Sequence, residues 1–214
     1  MDTARHIIAV LLLISGIPAL LFWFVIHPFA RFWRRVGHQW AYTAGFSMMV
    51  LLGWTLFRLR EPLLGVDYGT RWGLAALAVA FLALSLVIGA QRGKYLTARI
   101  LVGLPELDPR QGGGKLLTEG IYGRMRHPRY VEILSAFTAF ALFANHLGTY
   151  VVLAAGFALV YALVLLEERE LRERFGPAYV DYARRVPRFL PRSALGRQAP
   201  SPALGLEDKA RRGS

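Results

Sequence analysis

The sequence predicts an all-α, polytopic membrane protein with about five transmembrane helices, the last two of which form a helical hairpin. Hydrophobic residues make up 55% of the 214 residues. Charged residues make up only 19%, which is less than a soluble domain of this length carries. The charges also cluster between long uncharged stretches, a pattern typical of membrane spans separated by loops.

Each long apolar run can cross a hydrocarbon core of about 30 Å as an α-helix. In order, the five runs cover residues 7–26, about 40–57, about 72–90, about 131–143 and about 149–166. The fourth run is short, and a break at residues 145–148 separates it from the fifth. We therefore expect these two runs to pair as a hairpin.

The net charge of +12 restricts the possible partners. Nucleic acid is not expected as a partner, because the basic residues lie at span ends, where anionic lipid head groups favour them. The loop at 91–129 and the segment after residue 166 are rich in Arg, whereas the turn at 145–148 has no Lys or Arg. By the positive-inside tendency, the loop and the C-terminus face the cytoplasm. We expect an integral, multi-pass protein of a bacterial inner membrane.

The residue types exclude several kinds of chemistry. The chain has no Cys, so disulfides and thiolate nucleophiles are ruled out. Its five His are scattered without the spacing of metal ligands, and no metal site is predicted.

A basic cluster at residues 120–130 precedes the fourth run. His127 stands before a proline and is therefore biased toward an extended backbone, while Pro128 suits the first turn of a helix. The backbone N–H groups of a helix start, with Arg126 and His127 beside them, would suit a carboxylate or another anion. The alternative is a basic anchor at the membrane surface, with Tyr residues at the interface.

An acidic pair, Glu167 and Glu168, ends the fifth run. Adjacent carboxylates at the end of a span are costly unless a cation meets them. They could begin a solvated helix in which they pair with nearby Arg residues. The hairpin, however, returns them to the membrane face where His127 lies. A zwitterionic ligand with a sulfonium group would match both clusters.

The two clusters together resemble a known family signature. Residues 126–130 (Arg-His-Pro-Arg-Tyr), followed after a hairpin by Glu167-Glu168, resemble the isoprenylcysteine carboxyl methyltransferase family, to which phospholipid methyltransferases are related. The lead-in at 117–122 and the stretch at 171–191 are also similar to that family. The resemblance covers residues 115–191, and it extends to the first three runs only in general character.

This resemblance implies an enzyme that transfers a methyl group from S-adenosylmethionine, bound at a cytosol-facing site, to a lipophilic acceptor from the bilayer. The expected partners are a lipophilic small-molecule or lipid acceptor and membrane lipids, with no protein partner implied. The candidate cofactor-binding residues are Gly120, Tyr122, Arg126, His127, Pro128, Tyr130, Glu167 and Glu168. The candidate catalytic residues are Glu168, Arg188 and Glu132.

Glu132 departs from the family pattern, which has a small Gly two positions after the Tyr. It could face the pocket as a base or contact the acceptor head group, or it could pair with Arg129 or Arg126 at the interface, which we favour. A carboxylate acceptor would need an Arg to hold it, such as Arg188. An amine, thiol or phenol would need a base such as Glu132, Glu168 or His127.

Two other functions compete with this one. A membrane reductase that uses NAD(P)H is possible, because sterol reductases have a similar Arg-His-Pro stretch. Those enzymes have more spans, and this chain has no dinucleotide signature. The second rival is a non-catalytic membrane scaffold.

The resemblance divides the chain into three parts. Residues 1–110 hold the first three helices and the start of the cytosolic loop. Residues 111–191 hold the catalytic hairpin and a C-terminal cytosolic segment. Residues 192–214 are rich in Pro, Ser, Gly and Arg and are expected to be a disordered tail.

Overall fold

A computed structural model describes residues 1–26, 29–95 and 116–190. The helices are α1 (Asp2–Ile26), α2 (Ala30–Val36), α3 (His38–Arg58), α4 (Arg60–Leu64), α5 (Trp72–Gly93), α6 (Pro128–Ala144), α7 (Leu147–Phe175) and α8 (Pro177–Arg185), with a 3-10 turn at Gly120–Gly123. The predicted tail at 192–214 lies outside the described residues. The division at residues 110 and 191 stays a prediction.

Four of the described helices, α1, α3, α5 and α7, are long and apolar enough to cross a membrane. Helix α6 has 17 residues and reaches about 25 Å, which agrees with the marginal length of the fourth predicted run. The predicted all-α, polytopic membrane fold is confirmed. Helix α7 continues past residue 166 to Phe175, because ion pairs one turn apart, such as Arg169 with Glu173, support its polar end.

Helix α1 lies at the centre of the helical bundle. It packs against α3 on one side and against α6 and α7 on the other, while α5 packs against α6. Small and branched side chains such as Ala9, Leu13, Ala141 and Val152 fill the contact between α1 and the hairpin. The outer faces of α3 and α5 expose large apolar side chains, as expected of helices that face lipid.

The turn between α6 and α7 is held by its own polar groups. Asn145 adopts a left-handed conformation (φ 54°) that closes α6, and its backbone N–H donates to the Ala141 carbonyl. Such a φ is rare outside Gly, and Asn tolerates it better than most residues. His146 and Thr149 then cap the start of α7 reciprocally. The predicted break is confirmed at Asn145 and His146, whereas Leu147 and Gly148 already belong to α7.

A buried arginine ties the N-terminus to this turn. Arg5 is 1% exposed and donates to the Ala144 carbonyl oxygen at 3.0 Å, to Asp2 at 3.1 Å and to Asp67. Asp67 also accepts the Gly69 N–H, and it forms an isolated backbone bridge with His146. The start of α1 and the loop before α5 are thus fixed against the hairpin.

Gly148 makes the close approach of α4 to the turn possible. A Cβ there would overlap the Leu63 carbonyl oxygen and lie 2.8 Å from the Leu64 Cα. We expect Gly148→Ala to lower the free energy of unfolding by about 1–3 kcal/mol, because backbone atoms cannot move aside. Thermal unfolding in detergent measures this loss. Gly73→Ala is the control, since nothing lies within 4 Å of its added Cβ, and equal midpoints for the two variants would contradict the prediction.

Candidate functional site

The site is built around Glu168, a carboxylate near the end of α7 that is 1% exposed. Arg188 binds it with two parallel hydrogen bonds, from Nε to Oε1 and from Nη2 to Oε2, each 3.0 Å long. Arg172 donates to Oε2 at 3.2 Å, and Arg126 Nη2 lies 3.1 Å from Oε1. Bidentate and charge-assisted bonds of this kind are the strong ones in proteins, so the carboxylate is firmly held.

His127 completes the cluster and is 3% exposed. Its Nε2 lies 3.2 Å from Glu168 Oε1, and its Nδ1 lies 3.6 Å from Glu167 Oε2. Burial alone would lower the pKa of His127, but the hydrogen bonds to Glu167 and Glu168 outweigh it and raise the pKa. With a carboxylate at each ring nitrogen, the imidazole favours its protonated form.

Backbone hydrogen bonds bring the separate segments together. The Arg126 and His127 N–H groups donate to the carbonyl oxygens of Pro187 and Arg188 at 2.9 and 3.0 Å. The C-terminal segment is thereby laid against the stretch that leads into α6. These two N–H groups are consequently used inside the protein, so a bound anion would meet side chains rather than these amides.

Helix α8 adds a residue that the sequence analysis did not name as a site residue. Tyr179 is fully buried, and its hydroxyl has no hydrogen-bond partner among the described residues. Burial raises the pKa of Tyr179 to about 12, with Glu168 and Arg126 within electrostatic range. Arg126 Nε is likewise buried and lacks a hydrogen bond in the described parts of the chain. Two such donors beside one carboxylate cluster fit a ligand that accepts hydrogen bonds.

The other predicted residues lie around this cluster. Gly120 has φ +58° in the 3-10 turn, where a Cβ would overlap Tyr95. Tyr122 follows it, and burial raises the pKa of its phenol. The Tyr122 carbonyl accepts the Tyr182 hydroxyl at 2.7 Å, so α8 is attached to this turn. Pro128 begins α6, and the Tyr130 ring is 5.9 Å from that of His127.

Glu132 lies outside this cluster, in the contact between α5 and α6, and the prediction that it pairs with Arg129 or Arg126 was wrong. It pairs with Arg92 of α5, which donates from Nε to Oε2 at 2.6 Å and from Nη2 to Oε1 at 3.2 Å. Arg126 instead contacts Glu168, and the Arg129 guanidinium lies 4.5 Å from the centre of the Trp23 ring. The partner is 40 positions away along the chain, so local sequence did not reveal it.

Comparison with known proteins bears on this arrangement. A family model for phospholipid methyltransferases matches residues 73–178. This part of the chain belongs to the phospholipid methyltransferase family. The match takes in the Arg-His-Pro stretch and the Glu167-Glu168 pair, which meet in the cluster. The resemblance found in the sequence is confirmed for this part of the chain.

Three curated relatives are similar over different lengths. The cobalt-zinc-cadmium resistance protein CzcN of Cupriavidus metallidurans is 41% identical over 38% of this chain and 38% of its own length. Protein-S-isoprenylcysteine O-methyltransferase B of Arabidopsis thaliana is 37% identical over 38% of this chain and 42% of its own length. Methanethiol S-methyltransferase 2 of Bradyrhizobium diazoefficiens is 29% identical over 85% of this chain and 58% of its own length. No solved structure matches the chain.

We expect Glu168→Gln to destabilise the protein by about 3–5 kcal/mol, because three guanidinium groups and His127 would lose their buried counter-charge. The thermal unfolding midpoint in detergent measures the loss. Glu173→Gln is the matched control: Glu173 is an exposed partner of Arg169 one turn away, and its loss should cost no more than about 0.5 kcal/mol. Similar losses for the two variants would show that the cluster does not stabilise the fold.

The pH dependence of stability should reflect His127. Since folding raises its pKa, the imidazolium contributes fully below about pH 6.5, the usual value, and the contribution is lost as the pH rises through the folded pKa. We expect the unfolding midpoint of the wild type to fall above pH 6.5 more steeply than that of His127→Gln. Parallel curves for the two proteins would contradict a protonated His127, because the proteins differ only at that residue.

Proposed function

We propose that the protein transfers the methyl group of S-adenosylmethionine to a lipophilic acceptor at the membrane surface. The observation that carries the proposal is the buried cluster in which Arg126 and His127, before α6, meet Glu167 and Glu168 at the end of α7. Two of the relatives are named as methyltransferases, one of isoprenylcysteine and one of methanethiol, which supports the same reaction type here.

The residues present fit the charges of this cofactor, which carries a carboxylate, an ammonium and a sulfonium group. The free donors at Arg126 Nε and Tyr179 suit the carboxylate. The carboxylates of Glu167 and Glu168 are the groups of the cluster that can face the ammonium and sulfonium groups. The cofactor-binding set that we propose is Gly120, Tyr122, Arg126, His127, Pro128, Tyr130, Glu167 and Glu168, with Tyr179 added from the structure.

When bound, the cofactor supplies an already activated methyl group, so the protein chiefly has to position the reactants. Glu168 is held by Arg188, Arg172 and His127, which makes it a fixed orienting group rather than a free base. The backbone carbonyl of Arg188 accepts the His127 N–H, and its guanidinium binds Glu168. Arg188 therefore holds both of these residues in place. The apolar walls of α1, α6 and α7 would exclude water from the transfer.

We further propose that the cluster faces the cytoplasm of a bacterial cell, with the protein in the inner membrane. The cluster end of the hairpin carries Arg126, Arg129, Arg169 and Arg172, whereas the turn at 145–148 has no basic Lys or Arg. This asymmetry supports a cytoplasmic C-terminus. The rival reductase is less favoured, because the matched family is a methyltransferase family.

The experiment is calorimetry of S-adenosylhomocysteine binding to the detergent-purified protein. We expect His127→Ala and Tyr179→Phe each to weaken binding at least tenfold, which is about 1.4 kcal/mol, since both contribute to the cluster. Glu173→Gln, on the exposed face of α7, should bind like the wild type. No binding by folded wild type would reject the methyltransferase proposal and favour the scaffold, and binding of NADPH instead would favour the reductase.

A further inference from the structure

A second ion pair lies in the contact between α5 and α6. The Arg92 side chain is 12% exposed and that of Glu132 is 24% exposed, and they are joined by the two hydrogen bonds given above. The structure makes room for the carboxylate at Gly89, where a Cβ would lie 2.8 Å from Glu132 Oε1. The Ser85 hydroxyl donates to the Glu132 backbone carbonyl at 3.0 Å. The pair is therefore built into the helix contact.

The pair does not use all of its donors. Arg92 Nη1 is buried, and it has no hydrogen-bond partner among the residues that the structure describes. A buried N–H without an acceptor is unfavourable, and a ligand that accepts a hydrogen bond from it removes that cost. The two other nitrogen atoms of the same guanidinium, Nε and Nη2, donate to Glu132. Arg92 thus offers a hydrogen-bond donor, Nη1, on a guanidinium whose charge is neutralised by Glu132.

The ion pair lies on α5, which packs against the 3-10 turn at Gly120–Gly123 that belongs to the proposed methyl-transfer site. Ile88, Ile121 and Met125 are buried together beside Tyr122 and Val131. A polar donor next to an apolar wall suits a molecule with a lipophilic body and a small polar head.

The charges limit what that head can be. A carboxylate needs a guanidinium that is not already neutralised, and Glu132 would repel it. The guanidinium groups of Arg188, Arg172 and Arg126 are all held by Glu168, and the surplus positive charge there is assigned to the cofactor carboxylate. Arg169 is paired with Glu173 at the surface.

We propose that Arg92 and Glu132 form the subsite for the methyl acceptor and select an uncharged polar head. Arg92 Nη1 donates a hydrogen bond to that head, and Glu132 cancels the guanidinium charge and excludes carboxylates. The inference rests on the proposed function, and it narrows the acceptor class to neutral lipophilic molecules. A neutral head loses a proton when it is methylated, and the Glu132 carboxylate is the group of this subsite that accepts it. Glu132 is then both the specificity-determining residue and the base.

The test compares two probes that share a tail and differ in the charge of the head: decanoate and decanamide. Each is titrated at pH 8 into the full-length protein in nanodiscs saturated with S-adenosylhomocysteine. We expect the wild type to bind decanamide at least tenfold tighter than decanoate. Glu132→Gln frees the Arg92 charge and should shift this ratio at least tenfold toward decanoate. Arg92→Gln should weaken decanamide binding without any gain for decanoate.

Partition of the probes into the bilayer is the same for every variant, so the change in the ratio reports the subsite. A wild type that prefers decanoate or binds neither probe would overturn the inference, as would a ratio that Glu132→Gln leaves unchanged. S-adenosylhomocysteine affinity is measured on the same samples and should stay within twofold of the wild type. A folded wild type that does not bind S-adenosylhomocysteine would reject the proposed function, which is an outcome distinct from failure of the subsite inference. If Glu132→Gln does not fold, the wild-type ratio and Arg92→Gln decide.

Discussion

The arrangement of the site depends on one buried carboxylate, that of Glu168. Its four cationic neighbours come from three segments: Arg126 and His127 from before α6, Arg172 from α7 and Arg188 from after α8. A buried charge is costly unless it is matched, and removal of one member leaves the others unmatched. The segments are therefore held in place together. The segment after α8 is therefore part of the site, because it contributes Arg188.

The turn at the opposite end of the hairpin fixes the alignment of α6 and α7 that brings His127 to Glu168. From the turn, α6 runs back to His127 over about 25 Å, while α7 reaches Glu168 after about 31 Å. Side chains on a helix lean toward its N-terminus, so the Glu168 carboxylate leans back toward the turn and toward His127. Asn145, Thr149 and the buried Arg5 hold the turn in one conformation. A shift of either helix would separate the imidazole from its carboxylates.

The sequence predicted what depends on local pattern. Hydropathy located the runs that form α1, α3, α5 and α7, and the break at 145–148 located the hairpin turn. The Arg-His-Pro stretch and the acidic pair were expected to meet, and they do. The partner of Glu132 was not predicted, because Arg92 reaches it only through the packing of α5 on α6. Tyr179 was missed as a site residue because its burial depends on how α8 folds back, which no local pattern states.

The two ion-pair assemblies place a common constraint on any ligand. Around Glu168 three guanidinium groups and His127 outnumber two carboxylates, whereas Arg92 and Glu132 balance one to one. In a medium of low dielectric constant, a charged group binds favourably where it neutralises a surplus of the opposite charge, and unfavourably where it adds charge to a neutral pair. An anion is therefore favoured at the first assembly and disfavoured at the second. Gly89 belongs to this second assembly, since a Cβ at residue 89 would lie 2.8 Å from Glu132 Oε1 and would force the carboxylate to shift beside Arg92.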